Sequence, residues 1–164
     1  MIIFQKAKIR DAGEIRNLLR KSWFDSYSDF YTDEELDKVT SRWHSVEALK
    51  NRLKDNSVFI IIAKDGDKAV GLCDVSFDVS KGKVDIQKLH VSTSHQRQGI
   101  GSELNRRAIK TFPEAAVADL EVLKKNYRAI SFYKKQGFRK IGEKTFVVEG
   151  VKLPCVVMEK SLSI

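Results

Sequence analysis

The sequence lacks the features that mark membrane, secreted and zinc-binding proteins. Its longest apolar run, Val58 to Ala63, has six residues, whereas a transmembrane helix needs about 20. The two cysteines, Cys73 and Cys155, form neither a disulfide framework nor a zinc-ligand spacing, so we expect no metal. The apolar N-terminus reaches Gln5 and Lys6 too soon to be a signal peptide. We therefore expect a cytoplasmic protein with no membrane partner.

Proline is scarce as well, with 2 residues, and glycine numbers only 9, which excludes collagen-like and proline-rich disordered chains. A chain of 164 residues can build one sizeable core but not two, so we predict a single domain over residues 1–164. The excess of 30 basic over 22 acidic residues gives a net charge of +8, which suits any polyanionic ligand. Because no recognition helix or basic-aromatic patch accompanies that charge, we expect no nucleic-acid partner.

The spacing of apolar residues predicts a mixed α+β order of elements. A strand over Ile2–Ile9 precedes three short helices, whose starts are marked by the capping residues Asp11, Thr32 and Ser45. The remaining predicted elements are strands at 58–63, 69–77, 84–91 and 116–122, helices at 99–112 and 126–136, and a hairpin of strands at 138–148 and 153–160. The first three of those strands are predicted to be antiparallel.

A glycine-rich segment lies between the predicted strand at 84–91 and the helix that follows. It reads Gln96-Arg97-Gln98-Gly99-Ile100-Gly101-Ser102. Glycines at a helix start let a ligand approach the backbone, whose unpaired N–H groups favour an anion. The segment lacks the Gly-Lys-Ser/Thr of a P-loop and the third glycine of a dinucleotide fingerprint. It predicts a phosphate or pyrophosphate cradle, with tight packing as the alternative reason for the glycines.

A second motif lies one strand downstream and reads Asn126-x-x-Ala129-x-x-x-Tyr133-x-x-x-Gly137-Phe138. Together with the preceding motif Gln96-x-x-Gly99-x-Gly101, it resembles the GNAT superfamily of acetyl-CoA-dependent N-acetyltransferases. The predicted element order matches that family over nearly the whole chain. The resemblance implies a single-domain GNAT fold, with a mixed, mostly antiparallel central sheet flanked by helices on both faces. It also implies a transferase that moves an acetyl group from acetyl-CoA to a primary amine.

The resemblance implies roles for individual residues as well. The strand segment 89–91 matches the one that pairs with the pantetheine arm, and an N–H there would face the thioester carbonyl. The glycine-rich segment matches the pyrophosphate loop, and Asn126 matches a residue that contacts the cofactor. The implied acetyl-CoA-binding residues are Leu89, His90, Val91, Gln96, Arg97, Gln98, Gly99, Ile100, Gly101, Ser102, Asn126 and Tyr133.

Two implied catalytic residues carry the proton transfers. Tyr133 matches the tyrosine that protonates the leaving thiolate; packing against Phe132 is its alternative role. An alkyl amine, with a pKa of about 10.4, must lose a proton before it attacks. Asp85 stands where many family members have the basic glutamate; an exposed acid at a hairpin is its alternative. His90 is out of phase with Leu89 and is expected to face away from the amine. No nucleophilic cluster competes, and Cys73 is expected to be a buried strand residue, so direct transfer is predicted.

The acceptor site is bordered in this superfamily by the first two helices and the last hairpin. Here aromatic residues accompany six acids, with no Lys or Arg, between Asp25 and Asp37. This reversal of charge predicts a cationic acceptor, although acids at a solvated helix start are the alternative explanation. The Trp-x-x-x-Tyr and Asp-Glu-x-Leu patterns also resemble, loosely, the spermidine/spermine acetyltransferase branch. The candidate acceptor-binding residues are Trp23, Tyr27, Asp29, Tyr31, Asp33 and Glu34.

Several functions remain open at this point. The first is acetylation of a polyamine such as spermidine or spermine, or of a similar small cationic amine. The second is acetylation of a protein N-terminus or lysine, because the same motifs serve both. The third is a CoA-binding regulatory module without turnover. A homodimer is compatible with the sequence.

Overall fold

The computed structural model describes residues 1–162 and confirms the predicted order of elements. The strands are β1 (Ile2–Lys6), β2 (Val58–Asp65), β3 (Lys68–Asp78), β4 (Lys83–Val91), β5 (Val117–Leu123), β6 (Arg139–Val148) and β7 (Val151–Ser161). The helices are α1 (Ala12–Tyr27), α2 (Asp33–Trp43), α3 (Val46–Lys54), α4 (Ile100–Lys110) and α5 (Tyr127–Lys135). None of the helices in residues 1–162 has the length and apolar character needed to cross a membrane.

All seven strands join one sheet in the order β1-β2-β3-β4-β5-β7-β6. Only the central pair, β4 and β5, is parallel, and every other neighbouring pair is antiparallel. The mixed, mostly antiparallel sheet predicted from the sequence is therefore confirmed. The crossover between the parallel strands is α4, as a parallel connection requires.

The parallel pair is joined over only part of its length. Lys83 to Ile86 of β4 pair with Val117 to Leu120 of β5, and the two strands separate beyond those residues. On the other edge of β4 the register with β3 shifts by one residue, which leaves Gln87 without a cross-strand partner. Such a bulge bends a strand away from its neighbour. Within residues 1–162, the edge of β4 that faces β5 thus has no strand partner from Gln87 to Val91.

Helices cover both faces of the sheet because successive side chains of β2 point to opposite sides. Ile61 and Ala63 belong to a core with α4 and α5, whereas Ile60 and Ile62 belong to a core with α1 and α3. The predicted apolar faces of α1 and α4 are confirmed; their buried members include Ile15, Leu18, Leu19 and Trp23 in α1 and Ile100, Leu104 and Ala108 in α4.

The N-terminal prediction was wrong in two details. The first strand ends at Lys6 rather than Ile9, because the Asp11 carboxylate accepts a hydrogen bond from the Lys8 N–H at 2.7 Å and the chain turns. For the same reason Asp11 makes no side-chain cap on α1. The predicted caps of α2 and α3 are confirmed: Thr32 accepts from the Glu35 N–H at 3.1 Å, and Ser45 accepts from the Ala48 N–H at 3.1 Å.

Candidate functional site

A cavity of about 390 Å³ lies where β4 and β5 separate. Because the sheet is open there, the cavity receives side chains from both faces. One wall comes from α5, with Ala129 and Tyr133, and the opposite wall comes from α1, α2 and the last hairpin. The complete lining is Trp23, Tyr27, Trp43, His44, Arg52, Ile86, Gln87, Lys88, Leu89, His90, Glu121, Val122, Leu123, Asn126, Ala129, Tyr133, Phe146 and Cys155. The volume is at the small end of the range for sites that hold small molecules.

The glycine-rich segment forms the start of α4 beside this cavity. Gly99 has φ +80° and caps the helix in the left-handed conformation, which favours glycine. A Cβ placed at Gly101 would lie 3.6 Å from the Phe132 ring and 3.7 Å from Val91, which are ordinary contact distances. Packing within the protein therefore does not require glycine at position 101. Tight packing alone therefore does not account for this glycine, and the phosphate cradle stays a prediction.

Neighbouring side chains brace the segment. Gln96 donates to the Val91 carbonyl at 3.1 Å and accepts from Arg128 at 2.7 Å. The Ser102 hydroxyl accepts from Gln136 of α5 at 3.1 Å. Arg97 adopts φ +63°, and both it and Gln98 are exposed. Ile100 is the member of the segment that packs into the core, so it positions the helix start rather than facing solvent.

Replacing Gly101 with valine is expected to weaken acetyl-CoA binding by roughly tenfold. Its extra methyl groups press on the Phe132 ring and Val91 and so shift the start of α4, whose N–H groups face the phosphates in our assignment. Calorimetry measures the affinity, and thermal unfolding checks that the domain stays folded. Gly142→Val is the matched control, because a Cβ at Gly142 meets no atom within 4 Å. An unchanged affinity in a folded Gly101→Val protein would remove the phosphate-cradle assignment.

Tyr133 is buried in α5 and lines the cavity. Its ring packs edge-on against Phe132 at 5.3 Å and Phe138 at 5.6 Å between centroids. The packing role and the cavity position therefore exist together. Burial raises the pKa of Tyr133 far above its ordinary value, so the phenol keeps its proton at neutral pH. A protonated phenol in the cavity wall is the state that a general acid needs.

Asp85 is half-buried on β4, not an exposed acid at a hairpin. It pairs with Asp119 across the parallel strands, and Glu121 follows on the same face of β5. Burial, the Glu121 charge and the Asp119 charge together raise the pKa of Asp85 to about 7. Gln87, the bulged residue, donates a hydrogen bond to the Asp85 carboxylate. Asp85 itself is not part of the cavity lining, whereas its neighbours Gln87 and Glu121 are.

Leu89 and His90 both line the cavity, which corrects the expectation that His90 faces away. Consecutive side chains of β4 point to opposite faces of the sheet, yet both reach the same cavity because it passes through the gap between β4 and β5. The His90 Nδ1 lies 2.9 Å from the Ser22 hydroxyl of α1. Val91 lies outside the lining, and its carbonyl accepts from Gln96 instead. The strand segment 87–91 presents an unpaired backbone edge to the cavity, where a ligand can pair with it like an added strand.

Asn126 connects the two halves of the cavity wall. Its Oδ1 caps α5 by accepting from the Ala129 N–H at 3.0 Å. Its Nδ2 donates to the Tyr27 hydroxyl of α1 at 2.9 Å. Tyr27 also packs against Trp23, with ring centroids 4.8 Å apart. Trp23 and Tyr27 thus lie side by side in the cavity wall, and Asn126 holds Tyr27 in place.

The other four candidate acceptor residues lie outside the cavity lining. Asp29 is exposed after α1, and Asp33 is exposed in the first turn of α2. The Glu34 carboxylate is 3.4 Å from the Lys38 ammonium, and the Tyr31 hydroxyl donates to the Lys152 carbonyl at 3.0 Å. The acidic run therefore extends from the end of α1 onto α2, and none of its six acids lines the cavity. Whether it attracts an acceptor stays a prediction.

Sequence reasoning missed seven polar or aromatic residues of the cavity, which are Trp43, His44, Arg52, Gln87, Lys88, Glu121 and Phe146. They come from α2 and the residue after it, α3, β4, β5 and β6, so no single segment contains them. Charged residues in otherwise apolar strands are the one signal that could have drawn attention to Lys88 and Glu121.

Two histidines of the cavity are held neutral. Burial, with Lys88 nearby, lowers the pKa of His90 to about 4. Burial, with the positive charge of Lys88, lowers the pKa of His44 to about 2. Both side chains therefore lie beside cationic groups and carry no charge themselves at neutral pH.

These histidines predict an acid-labile fold. Between pH 6 and 5 each histidine is neutral in the folded protein and takes up a proton when the protein unfolds, so acid favours the unfolded state. Asp85 has the opposite effect, because its raised pKa keeps it protonated in the folded protein and it releases that proton on unfolding. The balance is roughly one proton, so the free energy of unfolding should fall by about 1 kcal/mol from pH 6 to pH 5. Urea titrations at several pH values measure this slope. In His44→Phe the slope should be near zero; a slope of wild-type size would contradict the assignment.

Neither cysteine is activated for nucleophilic attack. Cys73 is fully buried in β3, and burial raises the pKa of its thiol. Cys155 lines the cavity, but burial raises the pKa of its thiol to about 11. A thiolate is the reactive form of cysteine, so both side chains are unreactive at neutral pH. Direct transfer to the acceptor fits this cavity better than a covalent acetyl-enzyme.

Comparison with known proteins agrees with this geometry. The family model of the acetyltransferase (GNAT) domain matches residues 27–162. A probable N-acetyltransferase of Mycobacterium tuberculosis is 28% identical over 160 residues, which cover 94% of this chain and 91% of that protein. The uncharacterized N-acetyltransferase YjcF of Bacillus subtilis is 27% identical over 122 residues, covering 74% of this chain and 84% of that one.

A solved structure shares the fold. The PaiA N-acetyltransferase from Thermoplasma acidophilum, in complex with coenzyme A, superposes with a TM-score of 0.83 at 22% identity, covering 98% of this chain and 99% of that chain. The open parallel pair, the glycine cradle at α4 and the family match lead to one conclusion. The chain belongs to the GNAT acetyltransferase family, and it is an acetyl-CoA-dependent N-acetyltransferase.

Proposed function

We propose that the protein transfers the acetyl group of acetyl-CoA directly to a primary amine of a small molecule. The observation that carries this proposal is the cavity that crosses the sheet between β4 and β5. The glycine cradle and Tyr133 lie toward its α4 and α5 side. Trp23 and Tyr27 lie toward the opposite side. Two ligands can therefore meet in the gap from opposite faces, and 390 Å³ suits a small acceptor.

The residues present fit acetyl-CoA. The start of α4, which has no side-chain cap, offers N–H groups that suit its pyrophosphate, and the free edge of β4 suits its pantetheine amides. When bound, acetyl-CoA supplies the thioester that carries the acetyl group. We assign a backbone N–H near Leu89 to donate to the thioester oxygen as that atom gains charge.

The chain's own groups account for the protons of the reaction. The acceptor must reach the thioester as a neutral amine, and Asp85 is the base we assign to take its proton through water, beside Gln87 and Glu121. As the C–N bond forms and the C–S bond breaks, the sulfur becomes a thiolate. The Tyr133 hydroxyl is the acid we assign to protonate that sulfur. Products are the acetylated amine and free CoA.

Thiol release from acetyl-CoA with a panel of amines tests this proposal. The panel contains amino acids, alkylamines, spermidine, spermine, aminoglycosides and N-terminal peptides. We expect release with at least one class of small amine, at rates well above hydrolysis without acceptor. Release with one class of peptide alone would replace the proposal with protein N-terminal acetylation.

Polyamines are the second candidate for the acceptor. The observation that favours them is the run of six acids from Asp25 to Asp37, next to the helix that supplies Trp23 and Tyr27. Three of these acids already contact other groups: Asp37 contacts Arg20 at 2.6 Å, Glu34 contacts Lys38, and the Glu35 carboxylate accepts from the Thr32 N–H at 3.0 Å and from the Thr32 hydroxyl at 3.2 Å.

If the run attracts polycations, KM for spermidine should rise more steeply with salt than KM for a monoamine, because charge attraction is screened over about 8 Å at physiological ionic strength. Steady-state kinetics between low and high salt measures the difference. Replacing Asp29, Asp33 and Glu34 with their amides should remove it without changing acetyl-CoA affinity. Equal salt dependence for spermidine and the monoamine would exclude the run from acceptor binding.

A further inference from the structure

One wall of the cavity contains a buried group of charges that the proposed reaction does not use. Asp74 of β3 is fully buried and accepts from Arg52 through both of its oxygens, each at 2.7 Å. The Lys88 ammonium contacts the same carboxylate at 3.0 Å. Arg52 and Lys88 also line the cavity, whereas Asp74 does not. Two cationic side chains therefore share a single carboxylate, and both face the space where the acceptor enters.

The same wall contains buried polar atoms without a partner. Trp23 is 6% exposed and His44 is 3% exposed, and both line the cavity. Within residues 1–162, Trp23 Nε1 and His44 Nδ1 have no hydrogen-bond partner. Their ring centroids are 5.8 Å apart. A buried N–H without an acceptor costs about 1–3 kcal/mol, so an acceptor atom supplied by a ligand would be favoured at this place.

The opposite charge lies elsewhere in the same cavity. Glu121 of β5 lines the cavity. Asp119 lies two residues earlier on the same face of β5, and Asp85 of β4 pairs with Asp119. The acidic side suits an ammonium that is about to lose its proton. The cationic side, with the indole N–H of Trp23, suits an oxyanion. A ligand that satisfies both sides carries an amine and an anionic group together.

We propose that the acceptor is a small amine that carries a carboxylate close to the reactive nitrogen, bound by Trp23 Nε1, Lys88 and Arg52. This inference rests on the proposed function, because it names the class of acceptor for that reaction. The carboxylate would add a negative charge in direct contact with the two cations, which share Asp74 and have Asp85 farther away. Burial lowers the pKa of Lys88, and the Asp74 carboxylate acts against this by favouring the charged ammonium. A second anion beside the ammonium would favour the charged form further.

Matched acceptors test the inference on the unmodified enzyme. Each set contains an amino acid, its carboxamide and the decarboxylated amine, such as phenylalanine, phenylalaninamide and phenethylamine. In one or more sets we expect kcat/KM for the amino acid to exceed that for its carboxamide and its decarboxylated amine by at least about tenfold. A factor of this size corresponds to the loss of a hydrogen bond to a charged group. If carboxamides, plain amines or spermidine are better substrates throughout, the inference is overturned.

Two variants then locate the anion site. Trp23→Phe removes the indole N–H and keeps an aromatic ring, and Lys88→Met removes the ammonium while Arg52 still pairs with Asp74. Each should lower the preference for the carboxylate over the carboxamide severalfold. Lys68→Met, the same change as Lys88→Met in an exposed lysine at the start of β3, should keep the preference. If folded Trp23→Phe and Lys88→Met proteins keep the wild-type preference, the site is not where we place it.

A binding measurement separates this inference from the proposed function. Calorimetry with the CoA-loaded enzyme compares the carboxylate with its carboxamide without any turnover. Tighter binding of the carboxylate supports the inference even if no amine in the panel releases thiol, a result that would overturn only the proposed function. Equal binding, with thiol release from other amines, would overturn the inference and leave the proposed function standing.

Discussion

Replacing Tyr133 with phenylalanine is expected to lower kcat by about 10²-fold, the lower end of the range for a lost general acid. The change removes one hydroxyl and keeps the ring that packs against Phe132 and Phe138. Because burial raises the pKa of Tyr133, the wild-type phenol holds its proton over the whole working range of pH. Without it, the sulfur must leave as an unprotonated thiolate. Acetyl-CoA affinity should stay within about twofold, since a transition-state contact is lost and not a binding contact.

Single-turnover kinetics with saturating acetyl-CoA measures this effect when chemistry limits the rate. Tyr127→Phe is the matched control, because it makes the same change on the same helix, where Tyr127 is 72% exposed. It should behave like the wild type. A Tyr133→Phe enzyme with an unchanged chemical rate would leave Tyr133 with packing as its only role.

Replacing Asp85 with asparagine is expected to lower kcat/KM by about 10²-fold above pH 7, because the water-mediated base is lost. The sign of the pH dependence follows from the raised pKa of about 7: the carboxylate is the active form, so the wild-type rate should rise with pH through that value. In Asp85→Asn this rise should disappear. Profiles of kcat/KM between pH 5.5 and 8.5 measure both expectations.

Asp119→Asn separates the base from the group that tunes it. Removing the like charge across β4 and β5 lowers the pKa of Asp85, so the rise in rate should move to lower pH while the plateau stays close to that of the wild type. Asp67→Asn, in the exposed turn between β2 and β3, is the control for loss of an acid elsewhere. A normal pH profile in Asp85→Asn would assign the proton to another group or to water alone.

The sequence by itself determined the order of elements and the family. Apolar spacing predicted α1 and α4, since a period of 3.6 residues is a local property of each segment. The two motifs are also local runs of sequence. They resemble the GNAT family, and that resemblance implied acetyl-CoA and the role of Tyr133. The caps at Thr32 and Ser45 needed no distant contact, and they were confirmed. The predicted cap at Asp11 does not form, because the Asp11 carboxylate accepts from the Lys8 backbone N–H instead.

The tertiary structure alone decided the composition of the cavity. The bulge at Gln87 and the separation of β4 from β5 depend on pairing between strands far apart in sequence. That separation brings His90 into the cavity although its side chain points to the opposite face from Leu89. The pairing of Asp85 with Asp119 places Glu121 near Asp85. Likewise, Arg52 and Lys88 meet at Asp74 only after α3 packs on the sheet. Charges and pKa values depend on such packed neighbours, so the sequence predicted the reaction but not the electrostatics of the acceptor site.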